Sequence, residues 1–180
     1  MPGPPQVPET GLDHVAWAVR DLASAARLFA ADLGGRVVAG GDELELNVRS
    51  VHIVYPGRGK VELLSPIGPG PIAAFVDRYG DRVHHVTFTH TGPGGITGLA
   101  GRLSTAGRRV VGLDTDHKAW QELFVGPGSA FGCILQVVDR MDQYGAAVPG
   151  LTLASVLAGE WSWQRGVPVR REDMTPAGGS

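Results

Sequence analysis

Cysteine is almost missing from this 180-residue chain. Cys133 stands alone, so no intrachain disulfide can form and no thiolate-rich zinc site can be built. Charge is also scarce, at 19% of residues, and nearly balanced: 16 basic against 18 acidic side chains leave a formal net charge of −2. There is no basic surplus to neutralise nucleic-acid phosphates. No run approaches the roughly 18 apolar residues of a membrane span. No apolar stretch precedes Arg20, the first basic residue, so no secretory signal is expected and the cytoplasm is the expected location. What the chain does have is 43% hydrophobic residues, enough to fill a core, together with 27 glycines and 13 prolines. The length suits one domain or two half-size modules sharing a core.

One pattern occurs twice. Leu12-Asp13-His14-Val15-Ala16-Trp17-Ala18-Val19 reads as a strand. Asp21 follows as an N-cap, with Leu22, Ala25, Ala26, Leu28, Phe29 and Leu33 at helical spacing and Gly34-Gly35 as the stop. Strands are predicted over 43–48, 51–55 and 60–64. The second half opens with Val83-His84-His85-Val86-Thr87-Phe88. A helix containing Leu99, Leu103 and Ala106 ends at Gly107, and strands are predicted over 110–113, 121–125 and 133–138. Each half is thus a βαβββ module, an α+β architecture with a register: His14 and His85 lie 71 residues apart, Glu62 and Gln136 lie 74 apart. The predicted organisation is a flexible N-terminus (1–10), a first module (11–66), a connector helix (67–82), a second module (83–139) and a partly disordered C-terminal extension (140–180). In the connector, Pro71 opens the helix, Gly80 closes it, and Ile72, Phe75, Val76 and Tyr79 form its apolar stripe. In the extension, residues 152–161 read as an extra helix, and Trp161 and Trp163 need a surface to cover: the outside of the sheet, or the mouth of a pocket as a lid.

Four polar side chains stand out on the predicted strands. Gln136 sits between Ile134 and Val138 on one face, with Cys133, Leu135 and Val137 on the other, so the strand reads as buried on both sides and its amide needs partners. His14, His85 and Glu62 occupy matching places in their halves. Two imidazoles, a carboxylate and an amide oxygen converging on one point suit a divalent cation with open coordination positions: Mn, Fe, Co, Ni or Zn. Taken one at a time, each has an ordinary reading as a satisfied or solvated strand residue.

The doubled module, with His-Val-Ala-Trp-Ala-Val near its start and Val-Glu-Leu-Leu-Ser-Pro closing the first half, resembles the vicinal oxygen chelate superfamily (glyoxalases, bleomycin-resistance proteins, extradiol dioxygenases and methylmalonyl-CoA epimerases) over about residues 11–139. The order Val-Glu-Leu-Leu-Ser-Pro, Pro-Ile-Ala-Ala-Phe, His-His-Val-Thr-Phe is most similar to the epimerase branch. The resemblance implies paired modules whose mixed sheet curls as a half-barrel around a cavity, and one metal that chelates two oxygens of a small-molecule substrate. It places the metal ligands at His14, Glu62, His85 and Gln136, with His84 structural, and it allows a homodimer.

Two departures follow. The fourth ligand of the family is commonly a glutamate that also moves a proton, and Gln136 cannot do so. The second acidic catalyst of the epimerases falls, in ungapped register, near His52. Glu62 and His52, on opposite sides of a substrate carbon, are then the expected catalytic pair of an epimerase, isomerase or lyase acting on a carbonyl or acyl-thioester. The alternatives are a non-catalytic binder of a small molecule such as an antibiotic, which the lack of a firm base favours, or an iron dioxygenase using His14, His85 and Glu62. Lesser candidates are His117 in a polar loop, Trp120 at a pocket mouth, Arg102, Arg108 and Arg109 for a phosphate-bearing tail, and Cys133 as an inert thiol.

Overall fold

A computed structural model describes residues 10–57, 59–116, 120–139 and 146–174. The loop carrying His117, residues 1–9, 140–145 and the last six residues lie outside the described residues. The structure divides into two compact units. One comprises Met1–His14 with His85–Asp142, and the other Val15–His84 with Gln143–Ser180. The α+β class and the doubled βαβββ order are both observed. Among the described residues no helix is long and apolar enough to cross a membrane.

The larger unit is built on β1 (Thr10–Ala18, from Val15 onward), α1 (Leu22–Ala26), β2 (Arg36–Glu43), β3 (Val48–Val54), β4 (Lys60–Pro66) and α2 (Pro71–Tyr79). The extension adds α4 (Leu153–Leu157), β9 (Trp161–Gln164) and β10 (Val167–Arg170). Strands run in the order β10-β9-β2-β3-β4-β1. Asp21 caps α1 by accepting from Ser24 N–H (2.9 Å), and the helix widens into a π-helical segment at Arg27–Asp32 before Gly34 turns the chain at φ 72°. Leu22 and Ala26 pack with Val51, Ile53, Leu63, Val156 and Trp161 on one face of the sheet. Ile72 and Val76 of α2 pack with Ala16, Ala18, Val48 and Leu64 in a second cluster. Burying one such leucine stabilises the fold by about 1.5–3 kcal/mol. Tyr79 departs from the predicted stripe: it is exposed and stacks on Phe75 (5.1 Å).

Two predictions for this unit are corrected. The strand expected over 43–48 is mostly the turn between β2 and β3. The true strand, Arg36–Glu43, is masked in the sequence by Gly40 and Gly41. Both glycines answer to crowding: a Cβ at Gly40 would stand 2.7 Å from Ser50 O, and one at Gly41 3.2 Å from the Ser162 backbone. The second correction concerns the extension. Only its first turns are helical, and Trp161 and Trp163 lie in a strand that joins β2 in parallel through Asp42 and Ser162. Asp42 staples that strand. Its buried carboxylate accepts from Arg49 Nε (2.5 Å) and Nη2 (2.9 Å) and from Arg171, while Ser162 Oγ donates to its carbonyl (2.6 Å). Asp42 pushes the Arg49 guanidinium pKa up through this hydrogen bonding, against a smaller opposing effect of burial.

The smaller unit contains the start of β1, the rest of β5 (Arg82–His90), α3 (Gly95–Thr105), β6 (Val110–Asp114), β7 (Glu122–Val125) and β8 (Ile134–Val138), in the strand order β1-β5-β8-β7-β6. Ile96 and Ala100 of α3 cover Leu123, Val125, Ala130 and Val137. Thr10, expected in a loose end, is held in β1. Arg102 donates to His90 Nε2 (3.2 Å), which leaves the His90 Nδ1–H to donate to Thr10 Oγ1 (2.8 Å). Arg102 also donates to Pro93 O (3.0 Å), whereas Arg108 and Arg109 are exposed.

Candidate functional site

In the smaller unit the α3 helix covers one face of the sheet and leaves the other to polar side chains. Strand alternation puts Leu123, Val125 and Val137 under α3 and turns Glu122, Phe124 and Gln136 the other way. The parallel β5–β8 ladder sets Thr87 opposite Gln136, and His85 lies two residues before Thr87 on the same face. Thr87 is 1% exposed and sits at the junction of the cluster. Its hydroxyl donates to Gln136 Oε1 (2.8 Å), and its oxygen lies 3.0 Å from His14 Nε2. The rings of His14 and His85, both buried, meet edge to face with centroids 5.7 Å apart.

Neighbouring groups fix the orientation of two of these donors. Asp13 contacts His14 Nδ1. A carboxylate can only accept, so Nδ1 carries the proton there and the opposite nitrogen faces the cluster. This carboxylate–imidazole arrangement is the one that orients metal-bound histidines. On the other flank, Gln136 Nε2 donates to Glu122 Oε2 (2.7 Å), which also accepts from the Trp120 indole (3.0 Å). Gln136 is half-buried rather than enclosed on both faces as predicted. Burial raises the Cys133 thiol pKa, which keeps it protonated and inert at neutral pH.

The larger unit holds the other two predicted residues, His52 on β3 and Glu62 on β4, directly opposite each other in the antiparallel ladder. His52 Nε2–H donates to Glu62 Oε1 (3.0 Å). They are cross-strand neighbours, so the expected placement on opposite sides of a substrate carbon is corrected: His52 engages the carboxylate itself. Trp163 of the extension stacks near the His52 ring (centroids 5.2 Å apart) and donates its indole N–H to Ser50 Oγ (2.8 Å). Trp163 thus borders this pair, whereas Trp161 is buried in the core. His84 packs edge-on against Phe75 (4.7 Å), in keeping with the structural role expected of it.

A pocket of about 270 Å³ in the larger unit, beside Arg20, Leu22, Arg49 and Ser65, has its two arginines engaged. Arg20 pairs with Asp81 and Val76 O, and Arg49 with Asp42 and Leu157 O.

Asp13, Glu122 and the Trp163–His52 contact were missed by the sequence reading. Glu122 had one legible signal: it alternates with Phe124, which pairs with Gln136. The contact of Trp163 had none, because it depends on a strand pairing 120 residues apart in sequence, Asp42 with Ser162.

The sequence signature of the Glyoxalase/Bleomycin resistance protein/Dioxygenase superfamily matches residues 13–120. An ethylmalonyl-CoA/methylmalonyl-CoA epimerase of Cereibacter sphaeroides is 34% identical over 131 residues, covering 70% of this chain and 95% of that protein. Among solved structures, a hypothetical protein of Bacillus halodurans superimposes with a TM-score of 0.66 at 22% identity, over 75% of this chain and 97% of its own. The methylmalonyl-CoA epimerase of Mycobacterium tuberculosis does so with a TM-score of 0.63 at 24% identity, over 73% and 89%. These two likenesses establish the fold.

Proposed function

This chain belongs to the glyoxalase/bleomycin resistance protein/dioxygenase superfamily, and from that premise we propose that it is an epimerase that binds one divalent metal ion and moves the proton beside the carbonyl of a small acyl-CoA ester. One observation carries the reading: His14 Nε2 and the Gln136 carbonyl oxygen lie within 3.0 Å of the same buried Thr87 hydroxyl oxygen, beside His85. Imidazole nitrogens and an amide oxygen suit Co, Ni, Mn, Zn or Fe, so the donor set fits such an ion. The similarity to an ethylmalonyl-CoA/methylmalonyl-CoA epimerase supports the reaction class.

In this reading His14, His85 and Gln136 would hold the metal, and Glu62 is the carboxylate that the family resemblance assigns to the ligand set. When bound, the ion would stabilise the negative charge that builds on a carbonyl oxygen as the adjacent C–H bond breaks. The protein side chains do the rest. Asp13 keeps the His14 lone pair aimed, and Thr87 turns the Gln136 oxygen. Glu62 would take the proton from one face, and His52, donating to Oε1 of that carboxylate, would fix the direction from which it approaches; inversion then requires a solvent water to deliver the new proton to the opposite face.

The test is exchange of the substrate α-proton in heavy water, followed by mass spectrometry on methylmalonyl-CoA and ethylmalonyl-CoA. Cobalt-loaded protein is expected to exchange at least one of them, and Glu62→Gln to lose about 100-fold or more of the rate. Saturation with cobalt and tight binding of either ester without any exchange would replace the enzyme by the non-catalytic binder, the reading favoured by an amide at position 136.

A further inference from the structure

We propose that Glu122 is a positioning residue that sets the polarity of the Gln136 amide, so that its oxygen, not its nitrogen, faces the His14–His85 cluster. The inference rests on the metal reading above and deepens it. An amide is nearly symmetric in shape and opposite in chemistry at its two ends: the oxygen accepts or ligates, and the nitrogen only donates. A glutamine offered to a cation is useful in one orientation and repulsive in the other, and β8 by itself does not choose between them.

The choice is made from β7. Glu122 Oε2 accepts from Gln136 Nε2 (2.7 Å) and from the Trp120 indole (3.0 Å). The indole can only donate, so it holds that oxygen in place as an acceptor and leaves the amide one way to satisfy it. A reversed amide would set its carbonyl oxygen against a carboxylate oxygen. On the other side Thr87 donates to Gln136 Oε1 (2.8 Å), but a hydroxyl can accept as well as donate, so it is the Glu122 flank that sets the orientation. A hydrogen bond to a charged acceptor is stronger than one between neutral groups, which disfavours the reversed amide. The family's usual carboxylate at this place needs no such device, because its two oxygens are equivalent; a glutamine does.

Because both bonds use one oxygen, Glu122→Gln can reproduce them with its carbonyl. Glu122→Lys cannot: the introduced ammonium would draw the Gln136 oxygen toward itself and turn the amide nitrogen to the cluster. Cobalt titrations of the full chain by calorimetry and visible absorption test this. Glu122→Gln is expected to bind cobalt within about threefold of the parent, and Glu122→Lys to bind it about tenfold or more weakly. Adding Gln136→Glu to Glu122→Lys supplies one carboxylate oxygen for the ammonium and one for the metal, and should restore affinity; a merely structural effect of the lysine would not be repaired. Parent-like binding by Glu122→Lys, or no recovery in the double variant, overturns the proposal. If the parent itself binds no cobalt, the metal reading falls and the amide protons decide the orientation. In NMR spectra of 15N-labelled protein the Gln136 side-chain resonances should shift between the parent and Glu122→Lys, and unchanged resonances overturn the inference.

Discussion

The two modules share an order of elements and exchange their chemistry. In the larger unit the carboxylate is on the last strand of the module, Glu62 on β4, and an imidazole on the strand before it, His52 on β3, binds it. In the smaller unit the carboxylate is on the earlier strand, Glu122 on β7, and the last strand carries the amide of Gln136. In each case the third and fourth strands of the βαβββ set join one carboxylate to one nitrogen hydrogen-bond donor. A duplicated scaffold fixes where polar groups point, because strand alternation and ladder register are properties of the backbone; it leaves open which strand carries the charge. The halves differ in support as well. The larger unit has two apolar clusters and an added strand stapled by Asp42, whereas the smaller packs one cluster under α3.

The sharpest way to break this comparison is at the matched histidines. His14→Ala and His85→Ala are each expected to abolish cobalt retention through gel filtration, while His84→Ala, which removes a ring packed against Phe75, leaves it intact. Equal retention in all three would dissolve the equivalence of the openings of β1 and β5. Next in size is Asp42→Ala. Removing a side chain 1% exposed that faces two guanidinium groups should cost about 3–5 kcal/mol in urea denaturation, mostly by stranding Arg49. Arg171 is 43% exposed and contributes little of this. A loss below about 1 kcal/mol would mean that β9 is held by its backbone pairing and Trp161 alone. The smallest change is Trp163→Phe, which keeps an aromatic ring beside His52 and deletes the indole bond to Ser50. About 1 kcal/mol should be lost, with the His52 ring resonances moved in NMR; no movement would remove Trp163 from the surroundings of the His52–Glu62 pair.

Much of this was legible in the chain before any coordinates. Asp21 and Gly34 bracket the first helix because a side-chain acceptor and a positive-φ residue have local effects that need no distant partner. His14, Glu62, His85 and Gln136 were visible as polar side chains at repeating places in apolar strands. The strand Arg36–Glu43 was not, because Gly40 and Gly41 carry no side chain to show a period and owe their identity to Ser50 and Ser162 across the ladder. Asp13 and Glu122 escaped for a related reason: a carboxylate beside a histidine, or at the start of a short strand, is ordinary until the direction of its partner is known.

Residue order alone determined the duplicated α+β framework, the connector helix and the residue types available for binding a cation, since these follow from periodicity, capping and composition. Only the folded arrangement decided that His52 engages Glu62, that Glu122 governs Gln136, and that Trp163 rests beside His52. Each of these depends on ladder register and on the direction of a hydrogen bond between strands distant in sequence, and neither is encoded in any short stretch of the chain.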